Sequence, residues 1–505
     1  MRRCILLLAT WIYAARSNPC VPRDFGNNGT VCVCNATYCD STPVPEVPDV
    51  GFYIRYTSSR NGLRFFKTDG VFSEEFPADY HSYRLDPGTI LQPIYGFGGS
   101  FSDSACINIM NLSPGAQENL MRTYFSKEGS NYNFGRVPIG GTDFSTRSYT
   151  YDDYEGDVLL ENFSLAPEDL LYKIPVMKRA LEINPDLRFM AAAWTAPPWM
   201  RTNHNYTGYG FLREEYYQVY ANYLLKFLNQ YKDHGLEMWA LSTGNEPYIG
   251  AQNLSNFIAM GFTPKNISKW VANNLGPTIS TSKHNRTLIL TYDDVRSNLD
   301  SFIDEMFENQ LATSYIGAIA IHTYEDTLYP TSMVEKIHQD YPDKFLIMTE
   351  ISVGSPQADT GLISMGSWDY AELYLMELFQ NFDYWVTGWV DWNLAVDIYG
   401  GPNCRANYKD AAIIVNAEVD EFYKQPIYYA NTHFSKFIPP GSIRVGLIQG
   451  KKSVKAQAFE TPKREMIIVM YNNATRDENV AIHDPRRGKI HLQLPPKSVH
   501  TILYK

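Results

Sequence analysis

The chain of 505 residues lacks several features that would place it in common functional classes. It has no basic tract with interleaved aromatics, so nucleic acid is not an expected partner. It has no H-E-x-x-H run and no Cys/His set at ligand spacing, so neither a metal nor a cofactor is expected. Gly96-Phe-Gly-Gly lacks the G-x-G-x-x-G spacing of a dinucleotide-binding turn. Past the first residues no apolar run approaches the roughly 20 needed to cross a bilayer. Positive charge is in deficit, with 44 Lys and Arg against 55 Asp and Glu, and the net charge is −11. An isoelectric point of about 5.5 suits an acidic compartment, where protonation of carboxylates relieves self-repulsion.

Cysteine is scarce at seven, and its placement is informative. Cys4 falls in an N-terminal segment with a secretory order: Arg2 and Arg3, an apolar run to Tyr13, then small residues ending at Ser17. Residues 1–17 are therefore expected to be a signal peptide. Their removal takes away three arginines and moves the net charge from −11 to −14. The tail shows neither a lipid-anchor pattern nor a Lys-Asp-Glu-Leu-type signal. Cys20, Cys32, Cys34 and Cys39 cluster, which in a secreted chain reads as two disulfides with three possible pairings. A Cys4-type zinc site is the alternative, though C-x11-C-x-C-x4-C lacks paired C-x2-C knuckles. Cys106 and Cys404 are expected to be unpaired. Nine sequons, at Asn28, Asn35, Asn111, Asn162, Asn205, Asn253, Asn266, Asn285 and Asn473, point to a glycosylated luminal or extracellular protein.

An apolar fraction of 44 % supplies a large core, and the length suits one large domain with smaller modules. Aromatic content is high at 14 %; most of these rings are expected in a large core, and a minority to line a cleft, since flat rings also serve as platforms for sugar faces. Residues 18–45 are rich in Cys, Asn and Pro. Short alternating strands are expected at Gly51–Tyr56, Leu63–Thr68 and Thr89–Gln92, with six more between 442 and 505. Together they suggest a β-sandwich built from both ends of the chain. The middle alternates strands with helical patterns. Strands are expected at Gln92–Gly96, Phe134–Pro138, Arg188–Trp194, Met238–Thr243, Leu288–Asp293, Ala318–His322, Phe345–Glu350 and Tyr384–Trp389. Between them, Tyr217, Tyr220, Leu224 and Phe227 repeat at helical spacing. Eight βα units in this length predict a TIM barrel, with a doubly wound sheet as runner-up.

On such a barrel the C-terminal strand ends form the active face. Glu246, in Ser242-Thr-Gly-Asn-Glu-Pro247, and Glu350, in Phe345-Leu-Ile-Met-Thr-Glu350, each close an apolar strand and lead into a loop. Paired carboxylates at one mouth are the equipment for cutting a glycosidic bond: one protonates the leaving oxygen while the other stabilises or attacks C1. In the retaining geometry they lie roughly 5–5.5 Å apart. Around them fall Arg136, Asp143, Phe144, Trp194, Trp199, Asn245, Asp293, Asp294, His322, Tyr324, Asp391, Trp392 and Asn393. The plainer readings are a carboxylate partner for Arg136, a hydrogen-bonded wall for His322, packing for Trp199, and caps or ion-pair partners for Asp293 and Asp294.

With these motifs the chain resembles the glucosylceramidases, or acid β-glucosidases, of glycoside hydrolase family 30. The resemblance rests on Val31-Cys-Val-Cys-Asn-Ala-Thr-Tyr-Cys39, Gly96-Phe-Gly-Gly99, Arg136-Val-Pro138, Asp143-Phe-Ser145, Trp194-Thr-Ala-Pro-Pro-Trp199, Gly388-Trp-Val-Asp-Trp-Asn-Leu394 and His433-Phe-Ser-Lys-Phe-Ile-Pro439. It implies Glu246 as acid/base, Glu350 as nucleophile, and Arg136 as a brace for the nucleophile. Asp143, Trp194, Asn245, Trp392 and Asn407 would hold glucose, with His322 and Tyr324 near the carboxylates. It implies disulfides Cys20–Cys32 and Cys34–Cys39. It divides the chain into a three-stranded β module (18–45 with 393–426), a β-sandwich (46–91 with 442–505) and a barrel (92–392 with 427–441). Glucosylceramide in membranes is the implied substrate, in the lysosome lumen or after secretion, with a saposin-type activator and anionic lipid as partners. Departures fall at Thr323, Ser352, Cys404, the loop 356–364 and the loop Pro247–Ser255, and are expected to ring the leaving-group side. Alternatives are a related enzyme acting on a steryl glucoside, a β-xyloside or a β-1,6-glucan, or an inactive glycan- or lipid-binding protein.

Overall fold

The computed structural model describes residues 17–75, 79–252, 257–324, 326, 328–329, 331–354, 363–448, 450 and 453–505. Nearly all of the signal segment, the sequon Asn253 and most of the loop 356–364 lie outside this set.

Eight parallel strands close into a barrel: β1 (Gly96–Ser100), β2 (Phe134–Ile139), β3 (Arg188–Ala193), β4 (Met238–Ser242), β5 (Leu288–Val295), β6 (Ile316–His322), β7 (Phe345–Glu350) and β8 (Val386–Asn393). Helices between them wrap the barrel. In Tyr217–Asp233, the residues Tyr217, Tyr220, Leu224 and Phe227 are all buried, as their spacing requires. Strands covered on both faces read as near-continuous apolar runs, which is why β7 is Phe-Leu-Ile-Met up to its polar end.

Two barrel strands differ from expectation, and the outer strand expected at Leu63–Thr68 lies at Phe66–Val71. The first barrel strand is Gly96–Ser100, not Gln92–Gly96. Gln92 instead belongs to the 14-residue strand His81–Ile94 of the outer sheet. Its amide donates to the carbonyls of Phe382 and Val386 at 2.5 and 3.2 Å, which joins the two sheets. The last barrel strand starts later than expected and runs to Asn393, so Asp391 and Trp392 lie within it.

The outer sheet has nine strands. Their order is Gly488–Leu494, Glu478–Asp484, His81–Ile94, Ser442–Ile448, Val454–Glu460, Met466–Asn472, Ser498–Tyr504, Phe52–Ser59 and Phe66–Val71. A bridge from Ser73 to Lys489 brings its two edges together over a core that includes Tyr83, Ile468, Ile482 and Ile502. This sandwich therefore draws strands from both chain ends.

The small module has five strands where three were expected: Pro22–Asp24, Thr30–Asn35, Glu421–Lys424, Ile413–Asn416 and Val396–Asp397. The two edge strands are only three and two residues long, too short to show alternation in sequence. Disulfides Cys20–Cys32 and Cys34–Cys39 pin this module, and leave no thiolates for the zinc alternative. Cys106 and Cys404 are free. No helix among the described residues is long and apolar enough to cross a membrane.

Candidate active site

The site is built at the C-terminal ends of the barrel strands. Past β4 the chain turns at Glu246, whose backbone is left-handed (φ 46°, ψ 58°) just before Pro247. This conformation costs a non-glycine residue about 1–2 kcal/mol. A bond of 2.9 Å from the Glu246 N–H to the Asp293 carbonyl holds it. On β5, Tyr292 and Asp293 are left-handed too, and the register slips between Tyr292 and Asp294. That irregularity lets Asp293 reach across the barrel. Its carboxylate accepts from Arg136 Nη2 at 3.0 Å, Ser242 Oγ at 2.7 Å and Thr349 Oγ1 at 2.6 Å, and lies 3.2 Å from His322 Nε2.

Arg136 is buried beneath the site. It pairs with Glu350 Oε2 through Nη1 and donates to Asn245 Oδ1 at 2.6 Å through Nη2. The rings of Trp194 and Trp392 stack at 5.1 Å, and the guanidinium lies 4.9 and 5.6 Å from them. The other Glu350 oxygen accepts from Tyr324 Oη at 2.7 Å. His322 Nδ1 is 3.0 Å from Glu246 Oε1, so the imidazole bridges Glu246 and Asp293. Carboxylate oxygens of Glu246 and Glu350 approach within 4.8 Å.

The electrostatics separate the groups. Burial raises the Glu246 carboxyl above the ordinary glutamate range and Glu350 adds to this, against the pull of His322 and Arg136. Burial alone would lower His322, but Glu350, Asp293 and Glu246 outweigh it and push the imidazole up to about 10. These carboxylates favour the charged imidazole, which in that form donates to Glu246 and Asp293 from its two nitrogens. Burial also works against an ionised Asp293, yet Arg136, His322 and Thr349 hold it well below the usual carboxylate range. Burial pushes Asp143 up to about 7 although Asn407 donates to it at 2.8 Å, because Glu350 and Glu246 are near.

A cavity of about 630 Å³ opens over these groups. Asp143, Trp194, Glu246, Tyr324, Glu350, Trp392 and Asn407 line it. Asn245 and His322 sit behind that wall and act on it through Arg136 and Glu246. Trp199 is a packing residue, with Nε1 donating to the Asp152 carbonyl at 2.9 Å. Asp294 takes the backbone N–H groups of Val295 and Tyr248 at 2.8 and 2.9 Å, a capping role. Thr323 and Ser352 also line the cavity. The Cys404 N–H donates to the Asp143 carbonyl at 2.9 Å. Sequence reasoning missed Ser242, Thr349 and Lys409. The first two are ordinary strand hydroxyls with no local mark, and Lys409 lies in an irregular segment. Of the sequon asparagines, Asn28, Asn111, Asn162, Asn205, Asn266, Asn285 and Asn473 are exposed, while Asn35 is half-buried.

Comparison with known proteins agrees with this architecture. Residues 94–438 match the glycosyl hydrolase family 30 TIM-barrel domain, and residues 441–502 match the family 30 beta sandwich domain. The chain is 37 % identical over 503 residues to the lysosomal acid glucosylceramidase of Mus musculus, covering 98 % of this chain and 97 % of that one. It is also 37 % identical over 504 residues to putative glucosylceramidase 4 of Caenorhabditis elegans, covering 97 % and 96 %. Among solved structures, SrfJ from Salmonella typhimurium superposes with a TM-score of 0.83 at 26 % identity, over 90 % of this chain and 99 % of that one. With both domains matched in order and a carboxylate pair at the mouth of the first, the chain belongs to glycosyl hydrolase family 30.

Proposed function

We propose that the protein is a retaining β-glucosidase that hydrolyses glucosylceramide to glucose and ceramide. Glu246 protonates the glycosidic oxygen while Glu350 attacks C1, giving a glucosyl–enzyme ester. Glu246 then removes a proton from water, and the water displaces Glu350 with a second inversion. The observation that carries the retaining mechanism is the approach of the two carboxylates to within 4.8 Å, too close to seat a water as an inverting enzyme requires. The raised Glu246 supplies the acid, and Arg136 and Tyr324 orient Glu350 for attack. Asp143, Trp194, Trp392 and Asn407 hold the glucose ring, and Asn245 and His322 fix the groups behind it.

The family relatives named glucosylceramidases support the lipid substrate. The relative named lysosomal, the acidic balance of the chain and its exposed sequons support action in the lysosome lumen or after secretion, on a membrane-borne lipid; a saposin-type activator and anionic lipid are the partners we infer for it. The test is turnover at pH 5 of an aryl β-glucoside, an aryl β-xyloside and glucosylceramide in anionic vesicles with and without activator, with NMR of the first-formed sugar. We expect β-glucose from both glucosides and little from the xyloside. Initial release of α-glucose overturns the retaining mechanism, and turnover of the aryl glucoside without the lipid overturns the substrate.

A further inference from the structure

Behind Asp143 lies a buried ionic network for which the chemistry at the two glutamates has no use. At its centre is Lys173, in the helical turn Asp169–Lys173. Its ammonium is wholly buried, 2.8 Å from Asp169 Oδ1 and 3.3 Å from Asp103 Oδ1. It also donates to the Pro138 carbonyl of β2 at 3.2 Å. Burial works against the ammonium, but Asp169 and Asp103 outweigh it and raise it. Asp169 is fixed in turn by the hydroxyls of Tyr151 and Tyr231 at 2.7 and 2.5 Å. Asp103 opens the helix Asp103–Met110, and its Oδ2 accepts from Ser145 Oγ at 2.6 Å and Tyr149 Oη at 2.9 Å. The Ser145 contact has the length of a charge-assisted bond. Ser145 Oγ then accepts the Thr142 N–H at 2.9 Å, and Thr142 Oγ1 accepts the Phe144 N–H at 3.0 Å. A continuous polar path thus runs from the β2 backbone through Lys173, Asp103 and Ser145 to both ends of the turn that carries Asp143.

We propose that Asp103 and Lys173 are positioning residues that act through Ser145 to fix the Asp143 carboxyl against the glucose hydroxyl it binds. The inference rests on the reading of Asp143 as a sugar-holding group of a β-glucosidase, and adds what holds that group. Asp103, Lys173 and Ser145 do not line the cavity, so they act through Asp143 and not on the substrate. Asp143 needs such support because it stands in a turn past the end of β2, and a group on a loop is set less precisely than one on a strand. Its other holds, the Asn407 amide and the Cys404 N–H, come from the irregular segment 402–409. Stability alone is a poor reason for the network. Taking one cation and two carboxylates out of water is costly, and apolar packing of the same volume serves stability as well or better. Directional, charge-assisted bonds suit the holding of one geometry.

The experiment is a double-mutant cycle on kcat/KM for an aryl β-glucoside with a good leaving group. Ser145→Ala removes the link to the turn. Asp103→Asn keeps volume and removes the carboxylate that faces Lys173. Each is made in the native chain and in the Asp143→Ala background, with thermal melts to check folding. Lys173 is left in place, because its loss would strand two buried carboxylates without their cation. We expect kcat/KM to fall about tenfold in Ser145→Ala and about fivefold in Asp103→Asn, and each cost to shrink below about twofold in the Asp143→Ala background. A merely structural role costs the same in both backgrounds. Equal costs, zero included, in either variant that folds therefore overturn the proposal. Wild-type rates in Asp143→Ala alone remove the sugar-holding role of Asp143, and this inference with it. If the native chain turns over no β-glucoside, the β-glucosidase reading itself falls and takes the inference down.

Discussion

Asp293 organises the residues around the two glutamates. It holds Arg136, which pairs with Glu350, and faces His322, which contacts Glu246, so one buried acid sets the position of both glutamates. The charge on His322 has a readable consequence. As a cation 3.0 Å from Glu246 it lowers a carboxyl that burial has raised. Replacing it by Gln removes that pull, so Glu246 keeps its proton to higher pH. We therefore expect His322→Gln to lower kcat on an alkyl glucoside and to move the falling limb of the kcat/KM profile up by roughly one pH unit. A limb that stays or moves down would show that His322 does not act through Glu246. The two glutamates were legible in sequence because each closes an apolar run before a loop. Asp293 was legible only as a cap or an ion-pair partner, since its role depends on a left-handed backbone and a register slip that leave no trace in neighbouring residues. Thr349 and Ser242 were illegible because a strand hydroxyl carries no local mark of the carboxylate it will meet.

Among elements, the strands with alternating or continuous apolar residues were found and the glycine-rich one was misplaced. Gly96-Phe-Gly-Gly-Ser100 reads as following a first strand that ends at Gly96, since glycine weakens strands. It is a barrel strand because its neighbours need its lack of side chains. A Cβ at Gly98 would sit 2.0 Å from the Phe134 carbonyl oxygen and 2.5 Å from its carbonyl carbon, both backbone atoms of β2. Backbone cannot yield as a flexible side chain can. Gly98→Ala should therefore force β1 and β2 apart and destabilise the fold by about 3 kcal/mol or more. Urea unfolding checks this, and a midpoint unchanged from wild type contradicts the packing. The module's two- and three-residue edge strands were missed for a different reason: they exist only as partners of longer strands, and no period fits in so few positions.

At the scale of the molecule, buried titratable groups oppose one another as pH falls. Where the last barrel helix meets the sandwich, His433 lies between Thr501 and Ser58 at 2.8 and 2.9 Å, and His500 between Thr57 and Ser498 at 3.0 and 2.7 Å. Burial lowers both, His433 to about 3. Their folded pKa lies below the unfolded one, so their contribution is complete above the unfolded value of about 6.5 and is lost as pH falls below it. The buried acids act in the opposite sense. Burial pushes Asp143, Asp391 and Asp410 up to about 7 and raises Asp103, Asp294, Asp326, Glu246 and Glu377 as well. Their folded pKa exceeds the unfolded one, so the folded state takes up protons more readily and gains stability as pH falls from 7 toward 4. Eight such acids outnumber the four histidines that burial lowers, His433, His500, His284 and His338, and protonation also relieves the self-repulsion of a net charge of −11. The melting temperature should therefore be higher at pH 5 than at pH 7.5, by at least about 3 °C. A melting temperature that climbs steadily toward neutral pH would mean that the histidine junction governs, and would remove the stability argument for an acidic working compartment.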